Sequence, residues 1–145
     1  WVAVSEWGDN SDGLIIADHE CNEYYTAKRY NALAHFSKFV PVGSKVISNE
    51  KDVNDRVAWK IKKQMGFVIL NKTNCASFLT PDGSIVVVIV NDDAGCTFNF
   101  EGISGRDNLK IYTTNDRYDL KLTYDGEYKQ EVEIPGLSIT TLIFS

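Results

Sequence analysis

The most restrictive feature of this sequence is a pair of apolar runs that meet at one tight turn. Residues 76–79 lead into Pro81-Asp82-Gly83, and residues 85–90 follow as an unbroken apolar run. Proline fixes φ at the first corner of a turn, and Asp and Gly suit its remaining positions, so the two runs should pair as a hairpin. A run that is apolar at every position has no solvent face. Residues 85–90 are therefore predicted to form a central strand that is covered on both sides.

Other short segments with β-branched residues and turn signals surround this hairpin. Many short strands at such intervals indicate an antiparallel β-sandwich or barrel, so the fold class is mostly β. The further predicted strands are residues 1–4, 14–17, 45–48, 57–62, 66–70, 96–100, 109–113, 128–134 and 138–144. Residues 75 and 96 are expected on two strands that flank residues 85–90 in a three-stranded meander.

One segment, residues 26–39, has the periodicity of a helix. Tyr30, Leu33 and Ala34 recur at spacings of three and four and give an apolar stripe, which is expected to pack against the sandwich. Thr26 is the predicted N-cap, and the helix should end before Pro41.

Composition limits the function classes. A chain of 145 residues can bury one real core, and its net charge of −5 argues against a nucleic-acid surface. No apolar run approaches the ~18 residues of a transmembrane helix. The sequence opens on Trp1-Val2-Ala3-Val4, without Met or a signal-like stretch, so the start is interpreted as a cut edge with part of a parent protein missing.

Four stretches resemble glycoside hydrolase family 30. The most specific lies in residues 28–44, where Tyr30 is followed after four residues by His35-Phe36-Ser37-Lys38-Phe39 and then by Gly43. Residues 81–91, 111–115 and 134–142 agree in the expected order. The resemblance spans most of the chain except residues 48–74, which have no recognisable counterpart.

The resemblance implies a (β/α)8 barrel fused to a side β-sandwich. Residues 1–43 would be the remnant of the last β/α unit, and residues 44–145 the sandwich domain. Family members hydrolyse β-glycosidic bonds with two glutamates, at the ends of the fourth and seventh barrel strands, and retaining chemistry places the carboxyl groups about 5–5.5 Å apart. Because residues 1–4 resemble the eighth strand, both catalytic positions would precede residue 1. The chain alone is expected to be inactive, without catalytic carboxylates and without a cofactor.

The implied partners are the rest of the barrel and a carbohydrate substrate, in glycolipid or polysaccharide. Residues 112–115 favour the galactanase and xylanase branches, whereas residues 78–84 favour glucosylceramidases. The sequence therefore leaves both alternatives for the sugar of the substrate. Trp1 and Trp7 are the candidate substrate-binding residues, since an indole face packs against the C–H face of a sugar. Asn71 opens an N-glycosylation sequon, which suits a secreted or lysosomal protein.

Other chemical candidates are interpreted as structural. Glu6 and Glu20 match no catalytic motif and are expected to be solvated loop carboxylates. His35 is expected to be a hydrogen-bonded histidine at the barrel–sandwich junction, since no nucleophile motif accompanies it. His19 and Cys21 lack two further zinc ligands, so no metal site is predicted. Tyr24, Tyr25 and Tyr30 are expected to pack around the helix.

The three cysteines, Cys21, Cys75 and Cys96, are too few for a disulfide scaffold. The expected meander would hold residues 75 and 96 roughly 9–10 Å apart, beyond the ~7 Å limit for a disulfide, so all three should be thiols. Two alternatives to the glycosidase hypothesis stay open. One is a carbohydrate-binding module that uses exposed aromatics such as Trp59, Tyr118 and Tyr124, and the other is a purely structural β-sandwich.

Overall fold

The structure, a computed structural model, describes residues 4–6, 13–47, 73–103 and 105–145. These residues form a mostly β fold with one helix, as the sequence predicted. In chain order the elements are β1 (Val4–Glu6), β2 (Ile15–Asp18), β3 (Glu23–Thr26), α1 (Lys28–Ser37), β4 (Lys45–Ile47), β5 (Thr73–Leu79), β6 (Ile85–Asn91), β7 (Cys96–Asn99), β8 (Asn108–Thr114), β9 (Lys121–Glu127), β10 (Glu131–Ile134) and β11 (Ser138–Phe144). The predicted strands at 57–62 and 66–70 lie outside the described residues.

A six-stranded antiparallel sheet is the centre of the fold, with the strand order β4-β5-β6-β11-β8-β9. The hairpin of β5 and β6 has the predicted turn at its tip, with Leu79 opposite Ile85. Strand β6 lies between β5 and β11, and the side chains of residues 86–89 are buried. The prediction of a central strand covered on both sides is confirmed.

The hydrophobic core lies between one face of this sheet and a two-stranded ribbon of β7 and β10. Alternate apolar residues of the sheet point to the ribbon, because successive side chains of a strand face opposite sides. The ring centroids of Phe100 and Phe144 are 5.2 Å apart across this core. The buried members of the core are Val87, Ile89, Leu109, Ile111, Val132, Ile134, Leu142 and Phe144. Each contributes about 1.5–3 kcal/mol to folding.

The predicted three-stranded meander is wrong. Strand β11, not β7, pairs with β6, and β7 pairs with β10 in the second sheet. Cys75 and Cys96 therefore lie on different sheets, and both pack against the core cluster. Neither they nor Cys21 form a disulfide in this structure.

The helix differs from its prediction at its start and in its orientation. Thr26 is the last residue of β3, paired with Ile15, and Ala27 precedes the helix without a side-chain cap. Thr26 therefore does not act as the N-cap. The stripe of Tyr30 and Leu33 is exposed, so it does not pack against the sandwich as expected. The opposite side of the helix, which carries His35, lies on the sheet.

The loops at one end of the sandwich are fastened together by Asn91, whose side chain is buried. Its Nδ2 atom donates to the carbonyl oxygens of Ala94 and Pro135, each at 2.9 Å. Its Oδ1 atom accepts from the Thr73 hydroxyl at 3.0 Å and from the backbone N–H of Asp93 at 3.3 Å. One amide group thus joins the start of β5, the β6–β7 loop and the β10–β11 turn.

Candidate functional site at the helix–sandwich junction

Helix α1 lies against the face of the central sheet that points away from the β7–β10 ribbon. This junction contains residues 35–39, the motif that resembles glycoside hydrolase family 30. The imidazole of His35 is completely buried there. Its Nδ1 atom is 2.7 Å from the Thr141 hydroxyl on β11, and its Nε2 atom is 2.9 Å from the Thr114 hydroxyl on β8. Burial lowers the pKa of His35 to about 4, because desolvation penalises the charged ring. The prediction that His35 is a hydrogen-bonded structural histidine is confirmed, whereas its place at a barrel–sandwich junction stays a prediction.

Aromatic side chains of the same motif pack on either side of His35. The ring of Phe39 lies 4.4 Å from that of Tyr112 on β8, and the ring of Phe36 meets the Phe78 ring edge-on at 6.4 Å. The ammonium group of Lys38 is 5.4 Å and 5.6 Å from the ring centroids of Phe39 and Tyr112. These contacts fix the end of α1 nearest Pro41 on the sandwich.

Lys28 fastens the other end of the helix to the turn between β8 and β9. Its Nζ atom donates to the carbonyl oxygen of Asn115 at 2.8 Å and lies 2.6 Å from a carboxylate oxygen of Asp119. Both charged side chains are more than half exposed, so solvent screens this ion pair and its contribution is small. Sequence reasoning did not identify Lys28, because a lysine at a helix start is ordinarily solvated.

The side of α1 that faces away from the sandwich is also apolar. Tyr30 and Leu33 are 44% and 42% exposed there. Tyr24 and Tyr25 on the neighbouring strand β3 are exposed as well, with Tyr24 at 75%. The expectation that Tyr24, Tyr25 and Tyr30 pack around the helix is wrong for the described residues. The helix therefore presents apolar side chains on two opposite sides, and among the residues that the structure describes, those of the sandwich cover only one of these sides.

The predicted substrate-binding residues Trp1 and Trp7 and the glycosylation candidate Asn71 lie outside the described residues. Glu20 lies in the exposed turn between β2 and β3, with His19 and Cys21. Among the residues that the structure describes, no group of three or more His, Cys, Asp or Glu side chains could hold a metal ion.

Two of the aromatic residues weighed for carbohydrate binding are only partly accessible. The Tyr124 hydroxyl donates to the Glu127 carbonyl at 2.9 Å, and the Lys129 ammonium lies 3.9 Å from its ring centroid. The Lys121 ammonium lies 4.8 Å from the ring centroid of Tyr118. A sugar would have to displace these lysines to stack on either ring. Trp59 lies outside the described residues.

An open cleft of about 510 Å³ lies at the loop end of the sandwich. Its lining carries three carboxylates and one guanidinium, together with exposed Leu137. The lining residues are Asp92, Asp93, Ala94, Asn115, Asp116, Arg117, Gly136 and Leu137. Within the described part of the chain, no helix is long and apolar enough to cross a membrane.

These features define the class of domain to which the chain belongs, which is an antiparallel β-sandwich with one helix docked on its outer face. The family model for the glycosyl hydrolase family 30 β-sandwich domain matches residues 42–142. The chain therefore belongs to the family of glycosyl hydrolase family 30 β-sandwich domains. Comparison with curated proteins gives no match.

Similar solved structures support the fold. The catalytic domain of the GH30 xylanase C from Talaromyces cellulolyticus has a TM-score of 0.67 and 19% identity, covering 100% of this chain and 30% of that one. A GH30 endoxylanase from Clostridium papyrosolvens has a TM-score of 0.59 and 20% identity, covering 83% and 28%. A conserved exported protein from Bacteroides fragilis has a TM-score of 0.70 and 19% identity, covering 97% and 28%. This chain spans less than a third of each of these structures.

Proposed function

We propose that this chain is the C-terminal portion of a retaining β-glycosidase, in which it supports the catalytic barrel and lacks the catalytic glutamates. In this proposal residues 1–43 are the remnant of the last β/α unit, and residues 44–145 are the sandwich domain. The parent hydrolyses β-glycosidic bonds in glycolipid or polysaccharide and is secreted or lysosomal. Trp1 and Trp7 contact its substrate, and Asn71 carries a glycan.

The observation that carries the proposal is the two-sided character of α1. One side is fixed to the sandwich through His35 and Phe39, while Tyr30 and Leu33 on the other side are exposed. Exposed apolar surface that is contiguous on a soluble protein marks an interaction site. In a β/α barrel the outer helices pack inward against the strands, so the uncovered side of α1 suits a neighbouring barrel.

Self-association of the isolated chain tests this proposal. We expect the wild-type chain to bind a hydrophobic dye and to form concentration-dependent oligomers in sedimentation velocity. Leu33→Glu should reduce both signals and lower the melting temperature no more than its control does, since Leu33 is 42% exposed. Leu122→Glu is the matched control, because Leu122 on the edge strand β9 is the same residue with almost the same exposure, 41%. A monodisperse wild-type monomer without dye binding would contradict the proposal.

The runner-up function, a carbohydrate-binding module, predicts a different result. Such a module would bind insoluble xylan or β-glucan in a pull-down, and substitution of Tyr118 or Tyr124 by Ala would weaken the binding. The lysines over both rings argue against this outcome. We therefore expect retention no greater than that of an unrelated protein of similar charge.

A further inference from the structure

His35 is a fully buried ionisable group between helix α1 and the central sheet. Its two hydrogen bonds join three separate elements, because the imidazole belongs to α1, Thr141 to β11 and Thr114 to β8. A buried polar group is retained at low cost only while its hydrogen bonds are satisfied. A change in the protonation of this ring therefore changes how strongly the helix is held on the sheet.

The hydrogen bonds continue from His35 into the turn between β8 and β9. The Thr114 hydroxyl oxygen also accepts the backbone N–H of Leu120 at 2.9 Å. Leu120 has a φ of 52°, in the left-handed region that a residue with a side chain seldom adopts, so its backbone needs such support. Lys28 holds the same turn through Asn115 and Asp119. The helix and the turn are thus attached to each other at two points.

A neutral imidazole suits this site and an imidazolium does not. The neutral ring has one N–H donor and one acceptor nitrogen, so it can donate to one threonine and accept the hydroxyl proton of the other. The charged ring has two donors, so the threonine that donated must turn its hydroxyl away. The buried charge would also lack its hydration shell.

Among the described residues His35 forms no ion pair, because both of its ring nitrogens face threonine hydroxyls. Strand β8 brings Tyr112 and Lys110, and Lys110 is paired with Asp125 at 3.2 Å. The sequences of β5, β6 and β11 contain no ionisable side chain apart from the thiol of Cys75, which faces the core. The remaining groups belong to α1, to the residue that follows it and to the β8–β9 turn: Lys28, Arg29, Tyr30, Lys38, Asp116, Arg117 and Asp119. Asp119 is paired with Lys28, and Asp116 is exposed to solvent.

We propose that His35 is an acid-sensitive joint: protonation of its ring releases helix α1 from the sandwich and loosens the β8–β9 turn while the sandwich core stays folded. This inference does not depend on the proposed function, since every group involved belongs to this chain. When the helix is undocked, His35 has the ordinary histidine pKa of 6.5. When the helix is docked, burial lowers the pKa of His35 to about 4. The undocked form therefore binds more protons between these values, and docking weakens as the pH falls from 6.5 towards 4. The docked-to-undocked ratio should fall roughly 30-fold by pH 5 and at most about 300-fold at lower pH.

Hydrogen–deuterium exchange of the whole chain at pH 7 and pH 5, corrected for the intrinsic rate of exchange, tests the joint. Amides of residues 34–40 should lose about 30-fold protection at pH 5, while β6 and β11 keep theirs. In His35→Gln the amide side chain can still donate to one threonine and accept from the other but cannot ionise, so this pH dependence should disappear. His19→Gln, which changes the other histidine of the chain, is the matched control and should behave like wild type.

Three results would overturn the proposal. They are the same pH dependence in His35→Gln, parallel loss of protection in β6 and β11, and two imidazoles that titrate together by NMR. If His35→Gln fails to fold, the proposal is tested by NMR titration of both imidazoles in the wild-type chain and of the His35 imidazole in His19→Gln. The proposal then requires the His35 ring to stay neutral at pH 5.

Discussion

Gly136, in the turn between β10 and β11, is a sensitive point of the loop end. A Cβ atom at this position would lie 2.6 Å from the Asp93 carbonyl oxygen and 3.0 Å from the Gly95 nitrogen, both backbone atoms that cannot rotate away. The adjacent Leu137 N–H donates to the same Asp93 oxygen at 3.1 Å. In Gly136→Ala the two loops must therefore separate, at a cost of about 1–3 kcal/mol for overpacking and about 1 kcal/mol for the weakened hydrogen bond.

Urea denaturation followed by circular dichroism measures this cost, and the melting temperature should fall roughly 5–15 °C. Gly95→Ala is the matched control, because its Cβ would lie 3.4 Å from the Ile134 oxygen and 3.6 Å from the Gly136 nitrogen. That variant should change stability by less than about 1 kcal/mol. Equal stability of the two variants would refute the close approach of the β6–β7 loop to the β10–β11 turn.

Two further predictions concern buried polar groups. Asn91→Ala removes the donor to the Ala94 carbonyl and one of the two donors to the Pro135 carbonyl, which keeps the Ser138 hydroxyl. It should cost about 1–3 kcal/mol in urea denaturation, with an unchanged m-value. A loss below about 0.5 kcal/mol would contradict the fastening role of Asn91. Thiol titration of the unfolded, unreduced chain should give three thiols, and a count of one would show a disulfide. In the folded chain Cys96 should react slowly with thiol reagents, because burial raises the pKa of its thiol.

The central sheet could be predicted from the sequence because its pattern is strong. Strand β6 is apolar at every position before Asn91, and β11 was predicted with its observed bounds. Strands β3 and β9 were missed. Both are largely exposed edge strands, and the alternation of polar and apolar residues in β9 is carried by Leu122 and Tyr124 alone. Their pairing with β2 and β8 is set by neighbours, not by their own sequence.

Long-range pairing explains the other errors. The meander was assumed because consecutive strands often pair, but β11, far along the chain, pairs with both β6 and β8. The helix was oriented by its apolar stripe, although His35 is the residue on its buried side. A helix with two apolar sides carries no sequence signal for which side the sandwich covers. Thr114 and Thr141 were missed as partners of His35, because threonine is common in any strand.

The central claim is that residues 1–145 support a glycosidase without containing its catalytic pair, and an activity assay of this chain tests it most directly. The measurement is release of a chromogenic aglycone from β-glucoside, β-galactoside and β-xyloside substrates. Retaining hydrolysis needs two positioned carboxyl groups, so we expect a rate equal to that of buffer. Turnover by the chain that is abolished by Glu6→Gln or Glu20→Gln would contradict the claim.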